Sequence, residues 1–236
     1  MKTDHLDRLL KAQEEKTPVV LVTELASGAQ ALVQDGQTDG ALSVSAALES
    51  AVEQARTDDR SRTVEIGNAR YFIQVFNPPR RLIIVGAVHI AQSLAPIAAI
   101  AGYAVTIVDP RGAFATDARF PGVTLSQEWP DDALEALKPD RRTAIVTLTH
   151  DPKLDDPALA IALRSDAFYV GSLGSRRTHA GRVERLREQG FTDREISRIH
   201  GPIGLNIGAV SPAEIAVAIL AEVTQILHQP AADKAA

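Results

Sequence analysis

From residue 82 onward, short runs of apolar residues alternate with stretches of helical character. The runs are LIIVG (82–86), AVTIVD (104–109), a weaker VTL (123–125), TAIVTLTH (143–150) and FYVGSLG (168–174). Runs this uniformly apolar read as strands buried on both faces, and strands separated by helices pair in parallel. Between them the pattern predicts helices over 88–101, about 156–164, and from Ser175 to Gln189, the last closed by Gly190. Two S/T-x-x-E pairs, Thr192 with Glu195 and Ser211 with Glu214, mark further helix starts, the second opening a long helix over 212–228. The fold class that follows is α/β, a doubly wound parallel sheet with helices on both sides.

The first third of the chain has a different rhythm. Helical spacing at 4–15, a buried strand PVVLVTELA (18–26), a strand and turn in GAQALVQDGQTDG, a helix over 43–58 behind Ser43, and two strands around Gly67-Asn68 form a small α/β module. NPPRR (77–81) interrupts regular structure, since proline lacks the amide donor. The expected division is therefore 1–79 and 80–236. The closing PAADKAA is expected to fray.

Charge and composition exclude several function classes. A net charge of -5 gives no electrostatic case for nucleic acid. No apolar run approaches membrane-spanning length and no apolar leader opens the chain, so a cytoplasmic protein is expected. The absence of cysteine excludes disulfides, thiolate metal sites and a persulfide carried on this chain. No metal site is expected. Composition leaves self-association into a homo-oligomer open.

The turn after the first parallel strand carries most of a dinucleotide fingerprint. In G-x-G-x-x-G/A the first glycine makes the turn, the second admits a pyrophosphate, and the third position lets helix and strand pack. Gly86 and Ala91 fill the first and third positions, but Val88 stands at the second. Asp109, 23 residues after Gly86, stands where a ribose-binding acid belongs. Val88 would obstruct the pyrophosphate, so glycine there is expected to improve a dinucleotide fit. His89 either caps the helix or faces a ligand.

Three further stretches carry candidate chemistry. Gly174-Ser175-Arg176-Arg177 stands at a strand-to-helix turn, where free amides and two arginine forks suit a phosphate; the alternative is a capped helix with solvated arginines. Arg182, Arg185 and Arg187 interleave with acids and read as a solvated face. Thr149, His150 and Asp151 end a central strand at the edge where open α/β sheets bind ligands; the alternative is turn chemistry, with Asp155 or Asp156 capping the next helix. HGPIGLNIGA, with Gly204 and Asn206, forms no regular element and is either a connection or a loop shaped around a ligand. No Ser/His/Asp triad, P-loop or catalytic carboxylate pair emerges from spacing.

The motifs GAVHIAQSLAPIA, VTLTHDPKLDDPAL, YVGSLGSRRTHAGR and HGPIGLNIGAVSPAEIAVAILAE resemble those of the XdhC/CoxI family, over about residues 80–228. These are accessory proteins of xanthine dehydrogenase and related molybdenum hydroxylases. The resemblance implies a Rossmann-like domain that binds molybdenum cofactor and supports its sulfuration and insertion into an apo-molybdoenzyme. Molybdopterin carries a phosphate, which the Arg176-Arg177 turn would suit. The family commonly reads G-A-G-H where this chain has Gly86-Ala87-Val88-His89, and aspartate at the position of Asn206. Members with a glycine-glycine-cysteine motif have a cysteine that this chain lacks, so a partner desulfurase would have to supply sulfur. An NAD(P)-dependent oxidoreductase and a purely structural partner of the dehydrogenase remain the alternatives.

Overall fold

The computed structural model describes residues 3–229. The chain divides into two units, Met1–Pro78 and Pro79–Ala236. The expected fraying at 230–236 falls outside the described residues.

The first unit comprises α1 (Thr3–Glu14), β1 (Val19–Glu24), β2 (Gln30–Gln34), β3 (Gln37–Gly40), α2 (Ala46–Asp58), β4 (Arg62–Ile66) and β5 (Ala69–Phe76). Its strands form one antiparallel sheet in the order β3-β2-β1-β5-β4. The central strand is apolar over most of its length because it is covered twice. Val19 and Leu21 pack with Leu9 and Ala12 of α1, while Val20 and Val22 pack with Leu48, Val52 and Ala55 of α2. Two local expectations are corrected here. Ser45, not Ser43, caps α2, its Oγ accepting from the Leu48 amide. The segment read as a strand and turn continues into a second strand, β3, because Asp35-Gly36 adopts the positive φ of a tight hairpin.

The second unit comprises β6 (Arg80–Val85), α3 (His89–Ile100), β7 (Tyr103–Val108), β8 (Thr124–Ser126), α4 (Pro130–Leu137), β9 (Thr143–Thr147), α5 (Pro152–Arg164), β10 (Tyr169–Ser172), α6 (Arg176–Glu188), α7 (Asp193–Ile196), β11 (Ile199–His200) and α8 (Pro212–His228). All its strand pairs are parallel, in the order β11-β10-β9-β6-β7-β8. Chain direction across the sheet reverses between β6 and β9, and a crevice opens outside their carboxyl ends in such sheets. Successive residues of β6 serve opposite cores. Leu82 and Ile84 join α3 and α8, whereas Ile83 and Val85 join α4 and α5. Both S/T-x-x-E pairs are reciprocal capping boxes.

Several boundaries differ from the pattern-based reading. β9 stops at Thr147 rather than 150, because the following turn places His150 at φ 63. α5 starts at Pro152, four residues earlier than expected, with Asp151 as its cap: Oδ1 accepts from the Lys153 amide at 3.0 Å. Proline suits that first position, since its missing amide needs no partner there. Asp155 and Asp156 therefore lie inside the helix and cap nothing. α4 and the short β11 had no clear signal in the sequence.

Candidate functional site

The sequence-predicted residues gather at the carboxyl edge of the parallel sheet in three groups. The first surrounds the turn after β6. Gly86 has φ 110, and a Cβ there would lie 2.6 Å from Thr149 Cγ2. Only glycine allows the β6–α3 and β9–α5 turns to approach this closely. Val88 is the N-cap of α3 in extended geometry with no side-chain cap bond, and its half-buried side chain packs on the core. His89 does not cap. It is the first helical residue and lies exposed with Nδ1 3.3 Å from Gln92 Oε1.

Asp109 is where the fingerprint reading changes most. It is 0% exposed, and its carboxylate is consumed locally. Oδ2 accepts from the Ala87 amide at 2.8 Å and Arg111 Nη2 at 2.7 Å; Oδ1 accepts from Arg111 Nε at 2.9 Å and its amide at 3.0 Å. Burial pushes the carboxyl upward in pKa, but Arg111 and the Ala87 amide outweigh it and hold it below the usual range. Arg119 closes the turn from its other side, donating to the carbonyls of Ala87 at 2.9 Å and Phe114 at 2.7 Å. The chain thus satisfies its own fingerprint turn with two arginines from the β7–β8 loop. A ribose hydroxyl would have to compete with Arg111 for Asp109.

The second group lies between the β9–α5 turn and α6. Asp155 is buried and latches that turn: Oδ1 accepts from Thr149 Oγ1 at 2.7 Å and Oδ2 from the His150 amide at 3.1 Å. Its pKa is raised by burial, against those bonds and the nearby Arg182. The latch holds His150 exposed in a left-handed conformation that non-glycine residues rarely adopt. His150 and Arg177 line one cavity of about 300 Å³ with Asp155, Asp156, Gly181, Arg182 and Arg185. The expected solvated arginine face is corrected for Arg182, which is 2% exposed, while Arg185 stays partly exposed and pairs with Asp156 through Nε and Nη2. Arg187 is exposed, bonded to Glu184 and Asp193. The reason is that α6 has few apolar residues, so its inward stripe at Arg182 and Leu186 has to include an arginine.

The third group surrounds the 201–209 loop. Gly174, Arg176, Gly204 and Asn206 line a cavity of about 500 Å³ with the apolar side chains of Leu173, Ile203, Ile207 and Ile215. Ser175 caps α6, its Oγ accepting from the Thr178 amide at 3.1 Å. The loop is fixed to the body by Glu222 on α8, a residue the pattern reading passed over. Its carboxylate accepts from Tyr169 Oη at 2.5 Å and the Gly204 amide at 2.7 Å, and lies 3.1 Å from His200 Nδ1. The signal was present: Glu222 interrupts the apolar stripe Ile215, Ile219, Val223 of a helix that packs on the core. Tyr169 stacks on His200 with ring centroids 4.7 Å apart.

Among the described residues no cluster of three or more His, Cys, Asp or Glu is placed to hold a metal, and no helix is long and apolar enough to cross a membrane.

With this geometry in hand, similarity to known proteins is decisive for the family. Residues 82–223 match the family model described as the XdhC Rossmann domain. The chain belongs to the XdhC family. The chain is 34% identical over 155 residues to the molybdenum cofactor insertion chaperone PaoD of Escherichia coli (strain K12), covering 65% of this chain and 42% of PaoD. It is also 34% identical over 155 residues to a probable xanthine dehydrogenase subunit of Bacillus subtilis (strain 168), covering 65% of this chain and 45% of that one. A third relative, YqeB of Escherichia coli (strain K12), carries no assigned role and is 34% identical over 164 residues, 68% of this chain and 30% of YqeB. A crystal structure of a xanthine dehydrogenase from Bacillus halodurans superposes with a TM-score of 0.72 at 25% identity, over 95% of this chain and 64% of that one. The chain spans less than half the length of each of the three sequence relatives.

Proposed function

We propose that this XdhC-family chain binds molybdenum cofactor and supports its sulfuration and insertion into an apo-xanthine dehydrogenase or a related molybdenum hydroxylase. The observation that carries the reading is the cavity of about 500 Å³ formed by α6 and the 201–209 loop in a chain related to a cofactor insertion chaperone. Its chemistry fits a pterin bearing a phosphate. Apolar walls at Leu173, Ile203 and Ile215 suit a flat ring system, and Asn206 offers both a donor and an acceptor to a heterocycle edge. Arg176 adds a fork-shaped donor for the anionic end. Glycine at 174, 204 and 208 keeps backbone accessible along the wall.

The role is to hold and hand over a labile ligand. With no cysteine, the chain cannot carry the sulfur itself, and a desulfurase partner is the proposed source. Cytoplasmic placement fits such a partner. The oxidoreductase alternative is disfavoured by the Asp109–Arg111 pair, which occupies the acid a nicotinamide dinucleotide would use.

The test is anaerobic purification of the full chain from a cofactor-producing host. A bound pterin chromophore is expected, and a client enzyme from cells lacking this chain should fold but mature poorly. Protein without the chromophore, together with a fully active client in its absence, would overturn the proposal.

A further inference from the structure

The side of α6 that faces α5 carries features that packing alone does not explain. Arg182 is the only fully buried arginine among the described residues. Its Nη2 donates to the Leu173 carbonyl at 3.0 Å, but Nε and Nη1 have no partner among the described residues. The nearby carboxylate oxygen, Asp155 Oδ2, is 3.9 Å away, too far for a hydrogen bond. Asp155 is in any case engaged by Thr149 and His150, and Asp156 by Arg185. Buried donors left unpaired are costly, and an anion bound beside this guanidinium would offset part of that cost through its charge.

Gly181 is an independent oddity. It sits exposed in the middle of α6, where glycine weakens a helix. Nothing in the backbone requires it: a Cβ there would meet only Arg185 Nη1, at an ordinary 3.6 Å. Its effect is to leave the helix bare where it borders the cavity of about 300 Å³ that Arg182 also lines. That volume is modest beside the neighbouring cavity and suits a small ligand. Arg177, exposed in the first turn of α6, adds a cation, and the helix start adds its own positive partial charge. Three arginines face two aspartates whose oxygens are already committed.

We infer that this cavity is a binding site for a tetrahedral oxyanion, either a phosphate group carried by an organic ligand or free inorganic phosphate, with Arg177 as the outer donor and Arg182 as the buried cation behind it. The site does not depend on the pterin reading. It would stand if the larger cavity bound something else.

The experiment titrates the full chain with inorganic phosphate and, separately, with phenyl phosphate, following heat and the shift in Tm. The wild type should bind at least one of them. Tighter binding of phenyl phosphate would identify the phosphate of an organic ligand as the source, and tighter binding of inorganic phosphate the free ion. Arg177→Ala should weaken binding by about tenfold, the scale of one charge-assisted hydrogen bond. Gly181→Leu should raise the Tm of the ligand-free protein, because it restores a helix former, while abolishing the ligand-induced shift by filling the cavity. Arg182→Met should abolish binding; if it fails to fold, Gly181→Leu decides alone. No binding of either compound by the wild type at high millimolar concentration would overturn the inference. So would binding that both Arg177→Ala and Gly181→Leu leave unchanged.

Discussion

Arg176 and Arg177 are neighbours in sequence at the start of α6, yet they line different cavities. Arg176 borders the larger one with the 201–209 loop, and Arg177 borders the smaller one with His150 and Arg182. Consecutive residues on a helix point about 100° apart, so one turn can serve two clefts.

Their substitutions should therefore separate. Arg176→Ala is expected to weaken retention of molybdenum cofactor by about 1.5–3 kcal/mol, the worth of a hydrogen bond to a charged group. Arg177→Ala should leave ring binding in the larger cavity closer to wild type. Both side chains are exposed, so both variants are expected to fold. Equilibrium dialysis of each purified variant with cofactor, alongside its melting curve, checks both statements. Unchanged affinity in a folded Arg176→Ala protein would remove the larger cavity from consideration.

How much of this was legible beforehand depends on how local the cause is. The parallel sheet was readable because the short apolar runs LIIV and TAIVT, set between helical stretches, read as strands covered on both faces, and the capping boxes at Thr192 and Ser211 need only four residues each. The destination of Asp109 was not readable from the fingerprint, because it depends on where Arg111 and the Ala87 amide fall in space. The burial of Arg182 was hidden for a related reason. Interleaved charges normally mark a solvated face, but α6 presents that residue to its neighbours along with Leu186. β11 has two residues and owes its existence to pairing with β10, a tertiary effect with no local signature.

Glu222 should behave as the anchor of the 201–209 loop. Glu222→Ala leaves the Tyr169 hydroxyl and the Gly204 amide without their acceptor. A loss of roughly 2–3 kcal/mol is expected, since breaking a partly buried network leaves several groups unpaired. Hydrogen exchange should rise at Gly204 more than in β6 or α3. Protection at Gly204 equal to wild type would show that other contacts hold the loop.

Asp109 sets an acid limit on stability. Its pKa in the folded chain lies below the ordinary aspartate value. A depressed carboxyl stabilises the fold above the unfolded-state pKa, about 3.9, and loses that contribution as pH falls through the folded value. Asp109→Asn should cost on the order of 2 kcal/mol at neutral pH, because it strips the charge partner from Arg111 and leaves one accepting oxygen where two served the Ala87 amide and Arg111. The difference from wild type should shrink as pH falls below the ordinary aspartate value. Urea unfolding of both proteins at neutral and acid pH reads this directly. A gap that widens on acidification would contradict the assigned sign.

Val88 alone is not expected to decide dinucleotide binding. From sequence, glycine at this position should open the path of a pyrophosphate. The structure adds a second obstacle, because Asp109 is already bonded to Arg111 through both carboxylate oxygens. Val88→Gly is therefore expected to bind NAD no better than wild type, and with little loss of stability, since glycine is a better N-cap than valine even as some packing is lost. The double variant Val88→Gly/Arg111→Ala removes the obstruction and the arginine side chain that competes for the acid, leaving only the backbone amides of Ala87 and residue 111 on it. It should gain measurable NAD affinity and prefer NAD over NADP, because a free carboxylate accepts from a ribose 2′-hydroxyl and repels a 2′-phosphate. Calorimetry on the three proteins distinguishes the causes. Tight binding by Val88→Gly alone would show that the valine was the whole barrier and that the Asp109–Arg111 pair yields readily to a ribose.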